Sequence, residues 1–289
     1  MDWLGPLAES PALVQGAALV LGLLVGSFLN VVALRLPVMM ERAWRRECAE
    51  LLGQSAPASE SLSLTCPPSR CPHCGHAIRP WENVPVLSWL VMRARCSACA
   101  HPISARYPII EAATGLLSWL VAWQLGWGWP LGGALVLTWA LIALTVIDLE
   151  HQLLPDQITL PFLWLGLLLN AFGIYTDPVS AILGAAAGYL ALWTVYQAFR
   201  QLTGKEGMGY GDFKLLALFG AWLGWQMLPQ VILLSALVGS FVGIGLIIWR
   251  RRGRDVPIPF GPYLAAAGWV ALLWGERIND AYLQFAGIG

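Results

Sequence analysis

The sequence predicts an all-α polytopic membrane protein, and three observations carry that fold class. Of its 289 residues 57% are hydrophobic and 12% charged, with 16 Trp and a mean hydropathy of +0.63, more apolar than a water-facing surface tolerates. The apolar residues fall into long runs, and the charged ones gather between them. Formal net charge is zero, so nothing points to nucleic acid as a partner; the expected partner of such a chain is the lipid bilayer.

About eight transmembrane helices are expected, near residues 12–36, 107–125, 130–148, 157–175, 178–199, 212–228, 229–249 and 259–276. Pro108, Pro130, Pro161, Pro178, Pro229 and Pro262 fall near the starts of runs, where a missing N–H costs little. Residues 1–11 carry Asp2 and Glu9 but no Lys or Arg, so the first run lacks the basic flank of a cleaved secretory leader and is expected to stay in the membrane. Placing the N-terminus outside puts every basic residue except Arg277 on or near the cytoplasmic side, Arg250 to Arg254 included. The domain division that follows is a first transmembrane helix over 1–36, a cytoplasmic domain over 37–106, and a seven-helix membrane core over 107–289. Trp123, Trp127, Trp129 and Trp225, near span ends, read as interfacial anchors.

The segment over 37–106 is too polar for lipid and too short for a large core, so a staple is expected. Cys71-Pro72-His73-Cys74 and Cys96-Ser97-Ala98-Cys99 supply one, as two C-x2-C pairs whose spacing suits tetrahedral zinc. A cytoplasmic location keeps thiols reduced and favours metal over disulfides. Four thiolates leave no open position for water, which makes the zinc structural. His73, His76, His101 and Cys66 are alternative ligands, and Cys48 reads as a spectator thiol on a charged surface helix over 41–48.

Ionisable side chains at the edge of membrane helices are costly and need a reason. Asp148 ends the third run, and Asp212 opens the sixth in Gly209-Tyr210-Gly211-Asp212. Counting passes puts both at similar depth on the cytoplasmic side. Two carboxylates that meet share a proton, so that one takes a proton from water while the other polarises a carbonyl, which is the chemistry of peptide hydrolysis. Gly209 and Gly211 would let an extended substrate approach closely. Taken singly, Asp212 also reads as a helix-end cap and Asp148 as a solvated charge. Glu111 and Lys214 are supporting candidates. Asp156 reads as a helix cap, and Glu150 and His151 as loop residues. The rival reading is a proton-coupled transporter with a regulatory zinc domain.

Further stretches carry a resemblance: Gly26-Ser27-Phe28-Leu29-Asn30-Val31-Val32 with Arg35-Leu36-Pro37; the cysteine pairs with Arg79-Pro80-Trp81-Glu82-Asn83-Val84-Pro85; Arg106-Tyr107-Pro108 with Glu111; Asp148 to Asp156; and Gly209 to Lys214. Together they resemble the type IV prepilin peptidases, polytopic members of the G-x-G-D aspartyl protease group, over nearly the whole chain. The resemblance implies Asp148 and Asp212 as the catalytic pair in the bacterial inner membrane. It implies prepilin or pseudopilin precursors of a type IV pilus or type II secretion system as substrates. It also implies N-methylation of the new N-terminus with S-adenosylmethionine, although no G-x-G-x-x-G signals a Rossmann-type donor site. In the family a glycine commonly stands just before the third cysteine; here the sequence reads Arg93-Ala94-Arg95-Cys96.

Overall fold

The structure is a computed structural model that describes residues 10–54, 62–205, 207–250, 259–285 and 287. The expectations placed on Asp2 and Glu9, and on Arg251, Arg252 and Arg254, lie outside those residues. In chain order the helices are α1 (Pro11–Leu51), the short α2 (Leu87–Val91), α3 (Arg106–Leu125), α4 (Trp129–His151), α5 (Asp156–Ala171), α6 (Pro178–Thr203), α7 (Tyr210–Leu223), α8 (Leu228–Arg250) and α9 (Gly261–Phe285). Each predicted apolar run is centred on one of the long helices, although those over 157–175 and 212–228 outrun their helices, which end at Ala171 and Leu223. The described residues contain no β-strand, only two isolated bridges.

The chain groups into two compact units, Met1–Trp127 and Gly128–Gly289. In the first, α1 packs along α3. Gly22 and Gly26, a G-x-x-x-G pair on α1, make close approach possible: a Cβ on Gly22 would lie 2.5 Å from Ser118 Oγ, and one on Gly26 would lie 2.7 Å from the Cα of Glu111. This contact draws α3 into the first unit, whereas the sequence grouped residues 107–125 with the later helices. The chain also stays helical through Pro37, where the sequence ended the first run at residue 36. Pro37 forfeits one helical hydrogen bond, but it is buried beside Leu36 and Met40, and that packing holds the helix together. Arg35 fastens the following loop, its guanidinium donating to the carbonyls of Ser63 at 2.9 Å and Pro67 at 2.7 Å.

In the second unit α7 is the centre, packed against α5, α6 and α9. Every residue from Leu215 to Trp222 is buried. Gly220 meets Gly184 of α6 backbone to backbone, and Gly166 of α5 makes room for the Trp222 ring. The Trp222 Nε1–H donates to the Phe162 carbonyl at 2.8 Å. Asn170 donates to the Ala221 and Trp222 carbonyls at 2.8 and 2.9 Å, satisfying groups the end of α7 leaves open. The sequence expected this run to reach residue 228; it stops at Leu223 because Gly224 turns left-handed, φ +81, into a 3-10 turn over Trp225–Met227. Pro161 falls inside α5 rather than near its start.

Four helical segments, Pro11–Leu51, Trp129–His151, Pro178–Thr203 and Trp225–Gly245, are long and apolar enough to cross a bilayer. They expose large apolar side chains such as Leu24, Ile182, Leu190 and Phe241, as a lipid-facing surface requires. Trp123, Trp127, Trp129 and Trp225 are exposed as well.

Candidate functional site

Asp148 lies in the last turn of α4, which ends where Gln152 turns left-handed and donates its N–H to the Asp148 carbonyl. The chain then passes through Leu154 and Pro155 to start α5. Asp212 lies in the first turn of α7, behind the extended Gly209. Both carboxylates are buried, with 5% and 8% of their surface exposed, and they stand within electrostatic range of each other. Among the described residues neither has an ion-pair partner. Burying a carboxylate without a cation is costly, so the pair needs a reason beyond folding.

Leu154 and two glycines frame the pair. A Cβ on Gly211 would lie 2.7 Å from the Leu154 Cβ, so side-chain absence there seats Leu154 against α7. A Cβ on Gly261, the first residue of α9, would lie 2.5 Å from Asp148 Oδ2. Gly261 was missed in the sequence; its signal was Gly-Pro at a helix start. Gly209 has room, since its Cβ would come no closer than 3.9 Å, to Asp212 Oδ2.

The supporting candidates divide. Lys214 is engaged by another acid: its Nζ donates to both oxygens of Asp156 at 2.7 Å, and Asp156 is that ion pair's acid rather than a side-chain cap. A lysine at the start of the second turn of α7 reaches the start of α5 because the two helices pack together. Glu150 and His151 are exposed. Glu111 belongs to the first unit, where its Oε2 accepts the Val86 N–H at 2.8 Å.

The cysteines form two matching knuckles. Cys71 N–H donates to the His76 carbonyl and Cys96 N–H to the His101 carbonyl, both at 2.9 Å, with a left-handed residue, Gly75 or Ala100, after the second cysteine of each. The Sγ atoms of Cys71 and Cys99 are 3.9 Å apart and those of Cys74 and Cys96 4.0 Å, and all four fall within 4.8 Å of one another. Ligands about 2.3 Å from a tetrahedral metal stand about 3.8 Å apart, so the donor set fits zinc; a disulfide needs about 2.05 Å. Backbone N–H groups of Cys74 and His73 pull the Cys71 thiol down to about 7, and those of Cys99 and Ala98 lower Cys96.

The alternative ligands are engaged elsewhere. His73 and His101 stack with ring centroids 4.5 Å apart, and Cys66 is exposed outside the cluster. His76 faces Glu82, which ties the knuckles together: its Oε2 accepts the Arg79 N–H at 2.9 Å and its Oε1 the Ser97 hydroxyl at 2.7 Å. The Arg79 N–H, with the Ser97 hydroxyl, holds the Glu82 carboxyl down to about 2.

Residues 20–125 match the model of the bacterial peptidase A24 N-terminal domain, and residues 135–244 that of the type IV leader peptidase family. The chain is 57% identical to a protein of Stutzerimonas stutzeri named prepilin leader peptidase/N-methyltransferase, over 97% of each chain. It is 54% identical to a protein of that name from Pseudomonas aeruginosa over 99% of each, and 58% identical to one from Aeromonas hydrophila over 90% of this chain and 91% of the other. No solved structure matches.

Proposed function

The chain belongs to the type IV leader peptidase family, and from that premise we propose that it is a membrane aspartyl endopeptidase whose catalytic pair is Asp148 and Asp212. Its substrates are type IV prepilins or pseudopilins, cut behind a short basic leader on the cytoplasmic face of the bacterial inner membrane. The eight long helices form the membrane-spanning set, and the segment over 37–106 holds the cytoplasmic zinc domain. Family membership favours this reading over a proton-coupled transporter.

The observation that carries the proposal is the burial of two carboxylates within electrostatic range on separate helices of one unit, with no cation among the described residues paired to either. One of the pair, ionised, takes a proton from a water molecule as the water oxygen attacks the scissile carbonyl. The other, protonated, donates to the carbonyl oxygen. Collapse of the tetrahedral intermediate expels the amine, which leaves with a proton, and no acyl-enzyme forms. Burial strengthens each of these interactions relative to water. Gly211 and Gly261 keep the frame small, and the room beside Gly209 lets an extended backbone reach Asp212.

Cys71, Cys74, Cys96 and Cys99 would hold a zinc ion that supplies folding energy and has no position left for water. Cleavage exposes a new N-terminal amine, whose N-methylation is the second activity; S-adenosylmethionine, when bound, supplies an electrophilic methyl group on a sulfonium. The test is cleavage of a precursor peptide by purified wild type, Asp148→Asn and Asp212→Asn. Each variant is expected to lose about 10³-fold or more in rate while keeping its fold. Normal cutting by either one sinks the pair.

A further inference from the structure

The first unit contains an open cavity of about 420 Å³ lined by α1, the knuckles, α2 and the start of α3. That volume falls in the range of sites for nucleoside-sized ligands. Trp89, Met92 and Ile103 give it apolar and aromatic wall, and the Trp89 ring is fixed by its Nε1–H donating to the Ile103 carbonyl at 3.1 Å. Ser27, Asn30 and Glu111 line another part.

Two acceptors there are left with chemistry to spare. Asn30 is 3% exposed; its Nδ2 donates to the Gly26 and Tyr107 carbonyls at 3.3 and 3.2 Å, which fixes the amide and leaves Oδ1 buried with no donor among the described residues. Asn170, equally buried in the second unit, has its Oδ1 satisfied by two backbone N–H groups. An orphaned buried acceptor is uncommon and calls for an explanation. Glu111, 8% exposed, has the Val86 N–H as its hydrogen-bond partner among the described residues, and no cation among them is ion-paired to it. A buried carboxylate and an unpaired carbonyl oxygen on residues that line one cavity ask for a cation that donates hydrogen bonds.

We propose that this cavity is the binding site for the sulfonium methyl donor, S-adenosylmethionine, with Glu111 and Asn30 receiving the primary ammonium of its amino-acid end. The inference rests on the proposed second activity and extends it to a place in the fold. A peptide's new N-terminus offers the same ammonium; the cavity size and apolar wall favour the nucleoside donor. Because Cys71, His76 and Cys96 form part of the lining, the metal centre also builds the site.

The test is equilibrium binding to full-length protein in lipid nanodiscs, without turnover, using S-adenosylmethionine and 5′-methylthioadenosine, which lacks the amino-acid end. Glu111→Gln is expected to weaken S-adenosylmethionine about ten- to hundredfold and Asn30→Leu about tenfold, each leaving methylthioadenosine unchanged. Zinc at about one per chain reports that the variants are folded. On wild type alone, S-adenosylmethionine should slow amide exchange at Val86 and over residues 103–111. Unchanged affinity in both variants, equal loss of both ligands, absence of protection, or protection by a free peptide amine instead of the donor would each overturn the assignment. None of these outcomes depends on leader cleavage, so failure here is distinct from failure of the aspartate pair.

Discussion

Along residues 62–105 a single residue, Pro85, is buried, whereas α7 is buried at every position from Leu215 to Trp222. The cysteine module is therefore held by discrete bonds: four converging thiolates, the Glu82 bridge between knuckles, and Arg35 reaching over from α1. The α7 core is held by shape, with glycines set where neighbouring backbones touch. The difference teaches where each candidate chemistry can sit. A carboxylate pair needs a rigid, dry frame, and close-packed helices supply it. A module without a core instead presents polar groups and backbone around a cavity, provided something ties its ends together.

Removing the tie is the largest perturbation. Structural zinc contributes about 10–16 kcal/mol of apparent binding energy in small zinc-finger peptides, far more than a module with one buried residue has to spare. Chelation, or Cys96→Ser, is expected to open residues 62–105 to trypsin at Arg70, Arg93 and Arg95 and to abolish S-adenosylmethionine binding. Helical ellipticity should fall only slightly, since the long helices owe nothing to the metal. Simultaneous loss of the helices would show that the contrast between the two regions is wrong.

The opposite perturbation strikes the packed region. A Cβ on Gly220 would fall 2.0 Å from the Gly184 carbonyl oxygen, a backbone atom that cannot swing aside. Gly220→Ala is expected to cost about 1–3 kcal/mol, read as a lower thermal midpoint in detergent with zinc content unchanged. Gly132, whose Cβ would meet nothing within 4 Å, is the matched control. Equal midpoints for Gly220→Ala and Gly132→Ala would remove the claim that α7 is held by shape.

The same division explains what the sequence disclosed. Apolar runs located the long helices because lipid-facing and core-facing residues are both apolar, and cysteine spacing located the four-thiol cluster because knuckle geometry is local. Asp148 and Asp212 were visible as acids at helix ends, but their common frame was not, since Leu154 and Gly261 acquire meaning only when α4, α7 and α9 meet. The pairing of Lys214 with Asp156 was not visible because the packing of α5 on α7 lies outside any sequence window. The continuation through Pro37 was hidden because local propensity opposes it and burial overrides it. Asn30 stood in a stretch that carries the family resemblance, but its unsatisfied oxygen was not legible, for such an atom is defined by what surrounds it.

The smallest effect returns to the cysteine module. Ala94 and Ala100 have φ of +58 and +56, the left-handed region, while Gly75 holds the place in the first knuckle that Ala100 holds in the second, at φ +73. An alanine there sets its Cβ against the neighbouring carbonyl at a cost of about 1–2 kcal/mol, part of which is returned because alanine restrains the unfolded chain more than glycine does. Ala94 cannot relax away, because its N–H donates to the Trp89 carbonyl at 2.8 Å and its carbonyl accepts the Ile103 N–H at 2.7 Å. Ala94→Gly and Ala100→Gly are therefore each expected to stabilise the module by about 0.5–1 kcal/mol, seen as a two- to fivefold slower loss of zinc to a chelator. Helices far from the knuckles should melt unchanged. Faster zinc loss in both variants would mean that rigidity of the unfolded segment, rather than strain in the folded knuckle, governs how tightly this region is held.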